Sequence, residues 1–260
     1  MDPCEPLSPL WGSVSPPPVR DTSPRRDAIV VLVHGFLRTG LSMIPLAMAL
    51  RRRGFSVRVV SQFNLSASIP QLADALKIQV EALRDAAQEE WGQRPDVHFV
   101  THSMGGIVVR SMLSRHEISG MNRVVMLAPP NRGSRLAAHW RDQVLRFPWG
   151  SFDPLRKLLP GERGDCATAG DPDAEIGIIA GTASFPSGLP WSLVDYTPSG
   201  GFSFSSGGSG EHDGKVALDE VELGGATDLV VVDRGHTFMM AMPDVVEHCV
   251  AFLREGRFRT

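Results

Sequence analysis

Short apolar runs that alternate with helical patterns constrain the fold of this chain more than any other feature. The first run, residues 28–33, is continuously apolar and rich in β-branched residues, which is typical of a parallel strand buried on both faces. Further strands are expected at residues 55–60, 97–100, 123–127, 175–180 and 228–232. The alternation predicts an α/β fold, with a mostly parallel central sheet and helices on both faces.

Helices are expected at residues 41–53, from 68 onwards, and at 103–115, 134–146 and 243–253. Ser68 and Gln71 have the spacing of a capping box, and Pro70 stands early in the helix they open. Three arginines, Arg51 to Arg53, precede Gly54. Cations offset the negative end of a helix dipole and glycine readily forms a left-handed cap. We therefore favour a helix end over a binding patch for this basic run.

Residues 1–26 are dense in proline, which excludes a helix and predicts an extended or disordered arm. The remainder, residues 27–260, is long enough to bury a substantial core. We expect it to form one α/β domain.

Charge and composition argue against several kinds of binding partner and structural element. The formal net charge of −3 offers no broad basic field for nucleic acid. No apolar stretch is long enough to form a transmembrane segment, and no secretory signal is visible, so a cytoplasmic location is expected. Cys4, Cys166 and Cys249 are scattered; they have neither the spacing of metal ligands nor that of a disulfide framework.

The segment Thr101–Gly106, Thr-His-Ser-Met-Gly-Gly, follows a predicted strand and opens a predicted helix. This is the context of a nucleophile elbow, a sharp turn that exposes a serine hydroxyl above the sheet. Gly105 supplies the small residue that such a turn needs, whereas Thr101 stands where the G-x-S-x-G pattern has its first glycine. A serine before two glycines could also be a plain helix cap. The flanking strand and helix favour Ser103 as a nucleophile.

With these residues the chain resembles the small bacterial lipases and esterases of the α/β-hydrolase superfamily, including a compact group with alanine or threonine before His-Ser-Met-Gly. The resemblance runs from about Ala28 to the C-terminal helix. It also rests on residues 33–36 and 128–134 and on the late acid and histidine segments. It implies the α/β-hydrolase fold with a small lid or none, and cleavage of small-molecule or lipid esters without a metal or organic cofactor.

The superfamily order of serine, acid and histidine places the base late in the chain. Of the eight histidines, only His212, His236 and His248 lie well beyond the central strands. His236 follows the last predicted strand, where the base belongs, whereas His248 lies inside a predicted helix.

Asp213 is the expected acid, because its segment resembles the family's Asp-Gly-x-Val sequence after the penultimate strand. Asp195 is the main competitor, and Asp228 begins a predicted strand. The alternative for any one of these aspartates is a solvated loop residue, and the match to the superfamily order favours Asp213 as the acid.

An oxyanion needs backbone donors aimed at it. The amide of Met104, at a helix N-terminus, is one candidate. The resemblance implies the amide of Phe36 as the second. His34 and His102 are expected to brace the neighbouring backbone rather than to catalyse.

For two segments, the sequence allows two interpretations of their structural role. The aromatic side chains in residues 140–152 could form a lid or acyl-binding helices, or could simply cover the sheet. The glycine- and serine-rich segment 199–210 could border the site as a mobile loop or be a surface connector.

The sequence therefore predicts a carboxylic ester hydrolase that works through Ser103, His236 and Asp213 and an acyl-enzyme. An acyltransferase or thioesterase could use the same three residues. A ligand-binding module could have kept the fold without the chemistry.

Overall fold

The computed structural model of the chain describes residues 27–61, 67–137, 174–183 and 211–259. The described strands are β1 (Ala28–Val33), β2 (Ser56–Val60), β3 (Asp96–His102), β4 (Met121–Leu127), β5 (Glu175–Gly181) and β6 (Asp228–Val232). The α-helices are α1 (Ile44–Arg51), α2 (Ile69–Trp91), α3 (Met104–Arg115), the one-turn α4 (Leu218–Val221) and α5 (Pro243–Glu255). Short 3-10 helices occupy Gly40–Met43 and Met239–Ala241.

Every predicted strand is present, with ends that differ by at most two residues from the expected ones. The helix expected at 41–53 is a 3-10 turn followed by α1, and α4 was not expected. The helix expected at 134–146 begins at residue 135, but its later part lies outside the described residues. The proline-rich arm, the segments 140–152 and 199–210, and Asp195 lie outside them too.

The six strands form one open sheet in the order β2-β1-β3-β4-β5-β6, and all neighbours are parallel. The prediction of a mostly parallel sheet is therefore confirmed. The chain moves outward from β1 to β2, returns past β1 to β3, and then steps outward to β6. Such a reversal between β1 and β3 opens a crevice at the carboxyl ends of these two strands, where ligands bind in sheets of this kind.

Each face of the sheet is covered, as the continuous apolar runs predicted. In β1, the side chains of Ile29 and Val31 belong to a core built with α2 and α3. Val30 and Leu32 point to the other face and belong to a core built with α1 and α5. Since both sets are buried, a strand in this position has no place for the polar residues that an exposed face would carry.

The ends of the helices follow local chemistry. The hydroxyl of Ser68 accepts the backbone N–H of Gln71 at 3.4 Å, and the Gln71 side chain accepts the backbone N–H of Ser68 at 2.8 Å. This is the predicted capping box. Gly54, after the basic run, has a left-handed φ of 84°, as expected of a glycine that ends a helix. In the described part of the chain, no helix is long and apolar enough to cross a membrane.

A glycine in β5 lets α5 approach the sheet. A Cβ atom added at Gly177 would lie 2.5 Å from a ring carbon of Phe252 and 2.7 Å from one of Phe258. Real Cβ contacts are not this short, so the aromatic rings would have to move. Both rings are buried, which leaves them little room to do so.

Gly177→Ala is therefore expected to lower the free energy of unfolding by about 1–3 kcal/mol, the usual cost of an overpacked core. Gly224→Ala is the matched control, because an added Cβ there meets nothing within 4 Å. Urea unfolding followed by circular dichroism would measure both variants. Equal stabilities of the two would contradict this account of how α5 packs.

Candidate active site

Ser103 lies in a strained turn between β3 and α3. Its backbone has φ 53° and ψ −127°, a region that non-glycine residues rarely adopt and that neighbouring structure must hold in place. The N–H of Ser103 donates to the carbonyl of Leu127 at 2.8 Å, and the N–H of Gly106 donates to the carbonyl of Ser103 at 2.9 Å. The predicted turn is thus present, at the carboxyl end of a central strand.

The turn packs against the end of β1 so closely that a side chain would not fit at residue 35 or residue 105. A Cβ atom at Gly105 would lie 2.6 Å from the carbonyl oxygen of Val33 and 2.7 Å from that of His34. A Cβ atom at Gly35 would lie 2.9 Å from the Cβ atom of Ser103. Glycine at 35 and 105 therefore allows the loop after β1 to touch the turn that carries Ser103.

This contact brings both expected oxyanion donors to one region. Phe36 directly follows Gly35, whose backbone touches the Ser103 side chain. Met104 is the first residue of α3, and the N–H groups of a first helical turn have no partner within the helix. The helix dipole also favours negative charge at this end.

Asp213 and His236 form a buried pair. The Oδ2 atom of Asp213 lies 2.7 Å from Nδ1 of His236, and both side chains are almost fully inaccessible. The other carboxylate oxygen, Oδ1, accepts the backbone N–H groups of Lys215 at 3.0 Å and Val216 at 2.8 Å. Because a carboxylate can only accept, Nδ1 of His236 donates, so that in a neutral imidazole the lone pair would be on Nε2.

His102 links this pair to the turn. Its Nε2–H donates to the backbone carbonyl of His236 at 2.9 Å, and the two imidazole rings lie 4.7 Å apart. Since His102 immediately precedes Ser103, the contact sets the loop of His236 against the turn that carries Ser103. His34 donates from Nδ1 to the carbonyl of Gly35 at 2.9 Å. Both histidines thus make the kind of bracing contact expected of them.

The other sequence candidates lie elsewhere. Asp228 stands at the amino end of β6, where its Oδ2 atom accepts the backbone N–H of Phe258 at 2.7 Å. His248 lies in α5, edge-on to the ring of Phe258. His212 accepts the backbone N–H of Gly214 at 3.0 Å, next to Asp213 in the chain. Among the described aspartates, the structure brings Asp213 to His236.

A buried carboxylate supports the segment that carries Asp213. Glu220, in α4, accepts the backbone N–H of Ala217 at 2.8 Å with Oε2 and that of Arg135 at 2.6 Å with Oε1. Burial raises the pKa of Glu220, while these hydrogen bonds and the Arg135 guanidinium act in the opposite direction. The carboxylate thereby joins the acid segment to the loop after β4.

Further polar contacts join the same two segments. Asn131 donates from its side chain to the carbonyl of Val221 at 2.7 Å, and Arg110 donates to the Asn131 carbonyl at 3.1 Å. Arg135 also pairs with Asp219. Sequence reasoning missed this network, because its members are far apart in the chain. The one available signal was the position of Asn131 inside the segment that resembles the family.

No group of three or more histidine, cysteine, aspartate or glutamate side chains in the described ranges is placed to hold a metal ion.

Comparison with known proteins agrees with this architecture. Residues 28–154 match the family described as the alpha/beta hydrolase fold. No curated protein matches the chain in sequence.

Three solved structures illustrate the likeness. The mature form of a Bacillus licheniformis lipase is 17% identical with a TM-score of 0.65, over 90% of this chain and 94% of that chain. A Pyrococcus furiosus esterase is 17% identical with a TM-score of 0.56, over 90% and 82%. A metagenomic carboxyl esterase is 19% identical with a TM-score of 0.55, over 86% and 68%. Identities this low indicate a shared fold alone. The chemistry of this chain has to be inferred from the geometry of its own site.

The environment of His102 favours the neutral imidazole. Burial holds the pKa of His102 well below its ordinary value of 6.5, and repulsion by a positive charge at His236 or Arg38 acts in the same direction. Within the described residues, Nδ1 of His102 has no hydrogen-bond partner. A proton on that atom would therefore be buried and unsatisfied, which is costly.

His102→Gln is expected to make the fold less sensitive to acid. The unfolded chain binds a proton at His102 near pH 6.5, whereas the folded chain does not. Lowering the pH below that value therefore stabilises the unfolded state, by up to about 1.4 kcal/mol per pH unit. Glutamine can still donate to the His236 carbonyl but cannot titrate. Urea unfolding between about pH 8 and about pH 5 should show a shallower fall for the variant; parallel curves would contradict this role.

Proposed function

We propose that this chain, a protein of the α/β-hydrolase fold, hydrolyses carboxylic esters with Ser103 as nucleophile, His236 as base and Asp213 as acid. One observation carries the proposal: a buried, hydrogen-bonded Asp213–His236 pair lies against the strained turn of Ser103. Burying two ionisable groups is costly for stability alone. Such a pair beside an activated serine position is what acyl transfer requires.

The first half of the reaction forms an acyl-enzyme. Nε2 of His236 takes the proton of the Ser103 hydroxyl as its oxygen attacks the ester carbonyl carbon. Asp213 holds the imidazole in the required tautomer and stabilises its positive charge. The oxyanion accepts hydrogen bonds from the backbone N–H groups of Phe36 and Met104. The C–O bond to the alcohol then breaks, and the alcohol leaves with the proton from His236.

The second half releases the acid. His236 takes a proton from a water molecule, and the water oxygen attacks the acyl carbon of the Ser103 ester. The same two backbone N–H groups stabilise the second tetrahedral intermediate. Its collapse breaks the bond to Ser103, which regains its proton from His236. In both halves of the reaction, His236 is the residue that accepts each proton and passes it on.

An acyltransferase or thioesterase remains the alternative within the same chemistry. Both would share the acyl-enzyme and differ in the group that attacks it or leaves from it. Product analysis with a competing alcohol separates transfer from hydrolysis. A silent binding module is disfavoured, because binding alone gives no reason to hold a buried, carboxylate-bound imidazole beside a strained serine.

Ser103→Ala is expected to lower kcat on p-nitrophenyl esters by about 10⁴-fold or more, since no nucleophile remains. Ser114→Ala, an exposed serine on the same helix, should keep wild-type activity. A fluorophosphonate should label the wild-type chain at the peptide that contains Ser103 and should not label the Ser103→Ala variant. Activity of this variant within tenfold of wild type, or labelling at another serine, would refute the assignment of the nucleophile.

Asp213→Asn is expected to lower kcat by roughly 10³- to 10⁴-fold, because an amide can hold His236 in the wrong tautomer and cannot stabilise its cation. Asp233→Asn is the matched control, as an exposed aspartate three residues before His236. Asp195→Asn should also be mild. Steady-state kinetics on the same esters measure all three variants. A severe loss of kcat in Asp195→Asn together with a mild one in Asp213→Asn would assign the role of the acid to Asp195.

A further inference from the structure

The outward face of the segment that contains α1 is apolar. Leu41 is 78% exposed, Met48 is 45% exposed, and Ile44 between them is exposed as well. Their spacing of three and four residues places them on one face of a helical run, whereas Leu46 and Leu50 on the opposite face are fully buried. The outward face of a surface helix is normally polar. A cluster of exposed large apolar side chains instead marks an interaction surface.

This surface adjoins the candidate active site. Leu37, 67% exposed, directly follows Phe36. Phe238, 45% exposed, lies two residues after His236 and begins the 3-10 helix at Met239–Ala241, which packs on α1. We call the five side chains Leu37, Leu41, Ile44, Met48 and Phe238 the apolar rim. The segments that supply the proposed oxyanion donor and the proposed base therefore also supply this rim.

The chain segment that carries four of the five side chains of the apolar rim is rich in positive charge. No aspartate or glutamate occurs between Asp27 and Asp74, whereas five arginines do. Of these, Arg51 and Arg52 are exposed at the end of α1, three and four residues after Met48. The nearby carboxylate of Glu247 pairs with Arg53. Arg51 and Arg52 can therefore cap the helix, as the sequence indicated, and also present positive charge beside the apolar rim.

We propose that the apolar rim docks this protein on an anionic lipid bilayer. Leucine, isoleucine, methionine and phenylalanine side chains would enter the boundary between headgroups and acyl chains, while Arg51 and Arg52 contact lipid phosphates. This combination of an apolar face and adjacent cations is typical of segments that lie in a membrane interface. A two-fold dimer through the same surface is disfavoured, because residues 28–73 of a second copy would bring further arginines and no carboxylate to this surface.

Leu37 and Phe238 of the apolar rim lie next to Phe36 and two residues after His236, respectively, so docking through these side chains would bring the candidate active site near the lipid. An ester carried by a bilayer lipid would then reach Ser103 without crossing water. This step rests on the proposed function, whereas docking itself does not. The test therefore measures binding in a Ser103→Ala background, where hydrolysis cannot alter the vesicles.

The first measurement is flotation of the Ser103→Ala protein with vesicles of phosphatidylcholine alone or mixed with phosphatidylglycerol. We expect binding to the anionic vesicles that weakens with added salt, because exposed charges are screened. Leu41→Ser with Met48→Ser should reduce the bound fraction by about tenfold. Arg51→Gln with Arg52→Gln should reduce it as well. Ile78→Ser is the control, since Ile78 is 69% exposed on α2, on the opposite face of the sheet.

Several results would overturn the proposal. These are no binding to either vesicle, equal binding to both, or an equal loss in the Ile78→Ser variant. Dimerisation that Leu41→Ser abolishes, without vesicle binding, would assign the surface to a second copy instead. Thermal unfolding must show that each variant is folded. Vesicle binding by a wild-type chain that hydrolyses no ester would refute the proposed function and leave docking intact.

Discussion

The close contact between the β3–α3 turn and the end of β1 is the constraint on which the rest of the candidate site depends. The carbonyl groups of Val33 and His34 lie where a side chain at residue 105 would have to be. Glycine there lets the two central strands end side by side, and the surrounding contacts hold Ser103 at its positive φ. The same contact sets the backbone of residues 35 and 36 beside the serine. A turn with larger residues would lose both the strained serine and its neighbouring donors.

The buried pair of Asp213 and His236 depends on a second, less local arrangement. Asp213 sits in a segment with little regular structure, yet its carboxylate is fixed by two backbone N–H groups and by His236. Glu220 ties that segment to the loop after β4. Hydrogen bonds offset the cost of removing these charges from water. The candidate site therefore lies between two supporting structures. One is the end of the sheet at β1 and β3, and the other is the polar network around Glu220.

The segment from β1 to α1 contributes both to the buried core and to the exposed surface. Its inner side supplies the two core faces of β1 and the loop that touches Ser103. Its outer side carries most of the apolar rim and the exposed arginines at the end of α1. Chemistry at Ser103 and contact with a lipid surface would thus share one rigid element, so that docking orients the site without a separate moving part.

Local sequence determined much of this protein. Short apolar runs predicted the six strands, Ser68 and Gln71 predicted a helix start, and the Ser103 turn was visible in residues 101–106. These features depend on neighbours within a few positions, where spacing alone decides the geometry. The resemblance suggested Asp213, whereas its hydrogen bond to His236, the support from Glu220 and the contact of His102 with His236 are visible only in the tertiary structure. Each joins segments far apart in the chain, and only the packing of the folded sheet brings such partners within hydrogen-bond distance.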